Sequence, residues 1–235
     1  MPRTLALIPA KGASTRLPRK NVRVLAGRSL LAWTADTVRA SGVADRIIVS
    51  TEDEGVAEEA RRLDLEVPFM RPADLARDPA GVVQVALHAL SVLETQGDVY
   101  DTLAIFLPTC PFRSVDDIHA AMRLFREAGA KFLMSVAPYE HTPFAALRVE
   151  NGLALPYFET FFGKRTQELP PAFRPNGAIH LLDVAAFQAV RSYIAQPLYA
   201  YVMPWERSVD IDTELDWLVA EAMLKSRQDA AAPCE

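Results

Sequence analysis

Short apolar runs alternate with longer stretches of helical period along most of the chain. Strand-like runs fall at 4–10, 46–51, 66–70, 102–107, 132–138, 178–182 and 199–203. Helix-like stretches fall at 29–40, 53–63, 82–95, 114–128, 184–192 and 213–225. "SVDDIHAAMRLF" opens on Ser114 with an acid three residues later, the pattern of a capped helix start. The alternation predicts parallel strands joined by crossover helices, a doubly wound, mostly parallel α/β sheet. Ligands in such a sheet sit beyond the carboxyl ends of the strands.

One segment breaks the rhythm. Residues 138–176 are rich in Phe, Tyr, Leu and Pro, and "FAALRVENGLALPYF" reads as a hairpin turning at Asn151-Gly152. With little room for a crossover helix, the segment reads as a protruding β-rich arm that packs on a second subunit; a lid on its own domain is the alternative. The expected organisation is an α/β domain over 1–137 and 177–227, the insertion at 138–176, and a flexible tail at 228–235.

Half of the 235 residues are hydrophobic, 23% are charged and the formal net charge is −5. This balance argues against nucleic acid as the main partner, which a basic face would announce. No apolar run reaches the length of a membrane span, and "TLALIPA" carries no export-signal pattern. Cys110 and Cys234 show no metal-ligand spacing and make no disulfide framework, which fits a reducing, cytoplasmic setting.

Against this mildly acidic background, "LALIPAKGASTRLPRKN" (5–21) gathers Lys11, Arg16, Arg19 and Lys20 with no anion. Arg3, Arg23 and Arg28 bring the cations of residues 1–35 to seven, without one Asp or Glu. Gly12, Ala13 and Ser14 keep the backbone slim as it leaves the first strand, so that successive N–H groups can converge on phosphate oxygens while Lys and Arg neutralise them. Pro18 stiffens the return. A Walker loop is excluded by the missing "GKS", and Gly12 alone makes no dinucleotide fingerprint. A solvated basic loop or localisation signal is the bland alternative, and the interleaved Leu17, Pro18 and Val22 make a poor signal. The loop reads as a phosphate holder.

The complement lies in "SVDIDTELDW" (208–217). Asp210 and Asp212, two apart on an expected strand, project from one face and suit a divalent metal or a carboxylate acting as base. Asp212 or Thr213 also stands where a cap for the last helix is needed, and Asp216 reads as solvated. The four histidines read as surface or packing residues, and Trp33 with the Leu stripe of the first helix as core. A cation-rich loop and a carboxylate pair in one α/β domain point to a magnesium–nucleoside triphosphate site and to phosphoryl or nucleotidyl transfer.

The order and spacing of "LIPAKGASTRLPRKN", "RIIVSTED", "EVPFMRPADLARD", "LPTCPFRS", "QELPPAFRPNGAIHL" and "SVDIDTELD" resemble those of the bacterial CMP-sialic acid synthetases, the acylneuraminate cytidylyltransferases, including those for pseudaminic and legionaminic acid. The resemblance spans nearly the whole chain. It implies a Rossmann-like homodimeric cytidylyltransferase that uses CTP, a nine-carbon 2-keto-3-deoxy sugar acid and Mg2+. Attack of the anomeric hydroxyl on the α-phosphorus would release pyrophosphate. It places Ala10, Lys11, Gly12, Ser14, Arg16, Lys20, Asn21 and Arg71 at the nucleotide, with Lys20, Lys11 and Asp210 closest to the chemistry. Asp210 and Asp212 would serve the metal, Asp210 also being placed to orient the anomeric hydroxyl. Leu107, Thr109, Arg174, Asn176 and Gly177 would line the sugar pocket, joined by Arg165 from a neighbouring arm.

Departures from the family pattern leave the phosphate and metal apparatus in place and bear on which sugar is used. Lys11 stands for a phosphate-loop arginine, Leu107 for a glutamine reaching the sugar, and Gly81-Val82 for small hydroxyl residues near the base. Ala145 stands for a lysine of the arm. Fewer polar side chains imply a sugar with deoxy or acylated positions, of legionaminic or pseudaminic type. Related enzymes for shorter keto-acid sugars, and a nucleotide-binding protein without turnover, are the competing readings.

Overall fold

The computed structural model describes residues 2–14, 16–77 and 79–231. Strand β1 (Thr4–Pro9) runs through a short hairpin, β2 (Val24–Leu25) and β3 (Arg28–Ser29), into helix α1 (Leu30–Ser41). Then follow β4 (Arg46–Ser50), α2 (Glu54–Arg62), α3 (Val82–Thr95), β5 (Thr102–Ile105), α4 (Val115–Glu127) and β6 (Phe132–Pro138). The arm carries β7 (Leu147–Glu150) and β8 (Leu153–Pro156), and the chain closes with β9 (Phe173–Asp183), α5 (Val184–Val190), β10 (Leu198–Val202) and α6 (Glu214–Ala231).

The main sheet has the order β10-β6-β9-β5-β1-β4. β1 lies parallel to β4 and β5, and β6 parallel to β10, while β9 runs antiparallel between β5 and β6. The double winding follows from the pleat, because successive side chains point to opposite faces. Leu5, Leu7, Leu103 and Ile105 pack under α3 and α5 against Ala89, Leu93 and Phe187. Ala6, Ala104 and Phe106 pack on the other face against Ile118, Met122 and Phe125 of α4. Strands covered on both faces are apolar throughout, as the fully buried Leu5–Ile8 run shows.

Helix starts are set by short polar side chains. Ser29 accepts the Ala32 N–H at 3.1 Å and Asp53 the Val56 N–H at 2.9 Å. Ser114 and Asp117 form the reciprocal box expected from their spacing. Thr213 and Asp216 do the same for α6, where Asp216 Oδ2 accepts from the N–H groups of Asp212 (3.0 Å) and Thr213 (2.7 Å) and from the Thr213 hydroxyl (2.8 Å). Thr213 is therefore the cap, and Asp216 is corrected from solvated to structural.

Four further expectations are corrected. Residues 66–70 make only isolated bridges, Ile48↔Glu66 and Thr51↔Met70, since Pro68 can give no ladder donor. Residues 208–212 form no strand; they are tied by the Ile211 N–H to the Thr109 carbonyl at 2.8 Å. β9 begins at Phe173, opposite Pro138, so the last residues assigned to the insertion belong to the main sheet. α6 continues to Ala231 through the start of the expected tail, whose residues 232–235, with Cys234, lie outside the described residues.

The hairpin does turn at Asn151-Gly152, with φ of 50° and 81°, the left-handed pair a two-residue loop requires. Val149, Leu153 and Phe162 of this segment are each more than 60% exposed.

Candidate active site

A cleft of about 290 Å³ opens at the carboxyl ends of β1 and β5. One wall carries Lys11, Lys20 and Asn21 from the loop after β1, the opposite wall Leu107, Pro108 and Thr109 from the loop after β5, and Asp210 and Asp212 close it from the α6 side. Arg71, Leu75, Ala76 and the start of α3 (Gly81, Val82, Val85) complete it. Two regions almost two hundred residues apart in sequence thus meet around one cavity. Lys20 Nζ binds Asp212 Oδ1 and Arg16 Nη2 binds Asp212 Oδ2, each at 2.5 Å.

The structure sorts the early cations. Lys11 and Lys20 face the cleft, Lys20 half-hidden, and Arg16 stands exposed at the rim. Arg19, in the left-handed conformation at φ 54°, turns its guanidinium toward Gly55 at the start of α2. Arg23 pairs with Glu214 at 2.7 Å and lies over the Trp217 ring, Arg28 pairs with Asp36, and Arg3 reaches Asp98. Those three are structural.

The two aspartates differ in charge state. Burial, reinforced by the negative charge of Asp212, pushes the Asp210 carboxyl above its ordinary pKa, against opposing help from Thr109 and Lys20. Burial raises Asp212 as well, but its contacts with Lys20 and Arg16 outweigh this and bring it below the usual carboxylate range. Among the described residues no three His, Cys, Asp or Glu side chains gather to hold an ion unaided. The pair supplies hard oxygen donors of the kind magnesium takes, and the rest of its shell would come from phosphate oxygens and water.

Beneath the cleft lie groups that hold its walls. Arg113, almost fully buried, donates to the carbonyls of Leu107, Cys110 (2.7 Å) and Ala178 (2.9 Å) and to Thr34 Oγ1 (3.2 Å). Burial lowers its pKa to about 10, so it remains a cation at neutral pH, clamping the β5–α4 loop to β9. The Cys110 thiol donates to the Asn176 carbonyl at 3.0 Å, and burial pushes its pKa up to about 12. Gly177 has φ +71°, and a Cβ there would stand 3.0 Å from Leu107 and 4.0 Å from Asp210. Glycine is needed for both reasons.

Of the expected nucleotide residues, Lys11, Lys20, Asn21 and Arg71 line the cleft. Asn21 also donates to the Lys11 carbonyl at 2.8 Å, fixing the loop. Ala10 is buried at the end of β1, and Ser14 lies outside the lining. Gly12 is committed elsewhere, since its N–H donates to Glu52 Oε1 at 2.8 Å and a side chain there would collide with Asp53. It shapes the loop and is not a free phosphate donor.

On the sugar side Leu107 and Thr109 line the cleft. Asn176 is corrected: it is 1% exposed, its Oδ1 accepts from Ser135 Oγ at 2.6 Å and its Nδ2 donates to Ser208 Oγ at 2.9 Å. It ties β9 to the aspartate loop. Arg174 sits opposite Ala137 on β9 and Arg165 on the exposed arm, and neither lines the cleft of its own chain. Sequence reasoning missed Glu52, Cys110 and Arg113. All three fall inside the quoted "STED" and "LPTCPFRS" motifs, but nothing in their spacing tells a buried clamp from a solvated charge.

These features define an α/β protein of the nucleotidyltransferase fold. The CMP:2-keto-3-deoxy-manno-octonic acid synthetase structure complexed with CTP superposes with a TM-score of 0.72 over 96% of this chain and 99% of that one, at 13% identity, a likeness of fold. The family model for cytidylyltransferases matches residues 5–205, and the chain belongs to that family. It is 30% identical to the CMP-N,N'-diacetyllegionaminic acid synthase of Legionella pneumophila, covering 97% of this chain and 99% of the relative. It is 28% identical to the pseudaminic acid cytidylyltransferase of Campylobacter jejuni, with the same shares covered.

Proposed function

We propose that this cytidylyltransferase joins CTP to the anomeric hydroxyl of a nonulosonic acid, giving a CMP-sugar and pyrophosphate. The observation that carries this reading is the convergence of Lys11 and Lys20 with Asp210 and Asp212 on one cleft. Lys20 and Arg16 neutralise Asp212, and the same cations are placed to meet a triphosphate. Lys20 would lie along the attacked phosphate, Lys11 along its neighbours, and Arg71 toward the nucleoside. The hydroxyl oxygen bonds to the α-phosphorus as the bond to the β-phosphate oxygen breaks, and pyrophosphate carries away the electron pair. Asp210, held at a raised pKa, is placed to orient the hydroxyl and receive its proton. Little covalent help is required of the protein, whose part is positioning and charge neutralisation. Asp212, with Asp210 beside it, would hold magnesium, which when bound supplies further neutralisation of phosphate charge.

The named substrates of the two relatives and the apolar Leu107 in the lining support a legionaminic- or pseudaminic-type sugar. The exposed apolar arm supports a homodimer, with Arg165 offered to the neighbouring cleft. The free buried thiol of Cys110 suits the cytoplasm.

The test is pyrophosphate release from CTP with a panel of keto-acid sugars. Legionaminic or pseudaminic acid should turn over fastest; a preference for N-acetylneuraminate or for an eight-carbon acid would overturn the sugar assignment. CTP binding with no release from any sugar would favour a nucleotide-binding protein without turnover. Asp212→Ala should abolish magnesium-dependent release, and near-normal activity in that variant would remove its metal role.

A further inference from the structure

We infer that Glu52 is a positioning residue for CTP, acting through Arg71. Glu52 follows β4, where the chain turns into α2, and contacts two segments that line the cleft or lead into it. One carboxylate oxygen, Oε1, accepts the Gly12 N–H of the phosphate loop at 2.8 Å. The other, Oε2, is ion-paired with Arg71 Nη2. A single side chain therefore joins the loop after β1 to the segment that carries Arg71.

Arg71 is 5% exposed and lines the cleft, and its Nε is buried without a hydrogen-bond partner. That donor is shut off from solvent and costs on the order of 1–3 kcal/mol unpaired; a ligand would meet the part of Arg71 that lines the cleft. The backbone alone does not aim it: the Arg71 N–H bonds to the Thr51 carbonyl at 2.8 Å, which fixes the Cα and leaves the long side chain free to rotate. The contact that fixes the guanidinium is its ion pair with the Glu52 carboxylate, made through Nη2. Burial alone would raise the Glu52 pKa, but the Arg71 and Gly12 hydrogen bonds together bring it below the ordinary value, so the anion is present at neutral pH. A carboxylate near a triphosphate site would repel its ligand unless paired, and Arg71 provides that pairing. Glu52 thus works indirectly, holding the arginine oriented and the Gly12 bend closed.

This rests on reading the cleft as the CTP site, and CTP binding by titration calorimetry without sugar tests the two separately. Glu52→Gln keeps an acceptor for Gly12 but removes the ionic partner of Arg71. It should weaken CTP binding about tenfold, the effect of losing one charge-assisted contact. In steady state the KM for CTP should rise while kcat at saturating CTP changes little. In an Arg71→Ala background Glu52→Gln should have no further effect, because its target is gone. Unchanged CTP affinity in Glu52→Gln, or losses that add in the double variant, would overturn the inference. If Arg71→Ala itself leaves CTP binding intact, Glu52 cannot act through it and the inference falls, whereas CTP binding that survives the double variant Lys11→Ala with Lys20→Ala would overturn the site reading. Should Glu52→Gln melt early, Glu52→Asp provides the second arm: it keeps the charge but is too short to reach both partners, and wild-type affinity there would equally overturn the inference.

Discussion

Asp210 and Asp212 are the same residue two positions apart, and the fold gives them opposite charge preferences. The raised pKa of Asp210 means the folded chain holds that proton more firmly than the unfolded chain. Its stabilising contribution is therefore present at low pH and lost as pH rises through the folded value, so the ionised group weakens the fold at neutrality. Asp210→Asn should accordingly raise the melting temperature by about 2 °C, the effect of a fraction of a kcal/mol in a chain of this size. Turnover should fall at least about 100-fold if Asp210 receives the proton. Calorimetry and pyrophosphate release measure the two effects. The aspartate pair was legible in "SVDIDTELD", but which member is buried was not, because spacing carries no information about what packs behind a residue. Asp216 shows the reverse case. The Thr213-to-Asp216 spacing repeats the Ser114-to-Asp117 pattern, so its capping role was available to a closer reading.

At the scale of elements, periodicity identified the helices and main strands well, because each buries a continuous face. It failed at 66–70 and 208–212, where the backbone finds only single bridges or hydrogen bonds. The loop between β5 and α4, which carries Leu107 and Thr109, is irregular and takes its shape from Arg113. Arg113→Met should strip its N–H groups from the Cys110 and Ala178 carbonyls, while the Leu107 carbonyl keeps the Cys110 N–H at 3.3 Å, costing about 3 kcal/mol and lowering the melting temperature by about 6–12 °C. Thermal unfolding checks this, and Arg113→Lys should rescue only part of the loss, because one ammonium cannot span the fork's contacts.

At the scale of the whole molecule, the arm's exposed apolar residues call for a partner surface. On the homodimer proposed above, the paired substitutions Val149→Asp and Leu153→Asp should give a monomer in sedimentation where the unaltered chain is a dimer, with the main sheet intact by circular dichroism; a monomeric unaltered chain would overturn the dimer. Acid sensitivity is also global. Burial, with the positive field of Arg113, pushes the His180 pKa down to about 4, while an unfolded histidine has an ordinary value of 6.5. Between those values the unfolded chain binds the extra proton, so stability falls as pH drops from 6.5 toward 4. His180→Phe should flatten this part of the urea-midpoint profile, leaving a smaller slope from His88, whose pKa is also lowered by burial.

What the sequence alone determined is the doubly wound class, the hairpin arm, and the presence of an early cationic loop and a late carboxylate pair. These are encoded locally, in period, caps and turn residues, and local physics is readable from neighbours in the chain. Only the tertiary structure decided which cations face the cleft and which are structural, that Asn176 and Gly12 are committed to internal hydrogen bonds, and that Glu52 and Arg113 brace the walls. Those outcomes depend on burial and on partners tens to hundreds of residues away, and the energy of a buried charge is set by what surrounds it once the chain has folded.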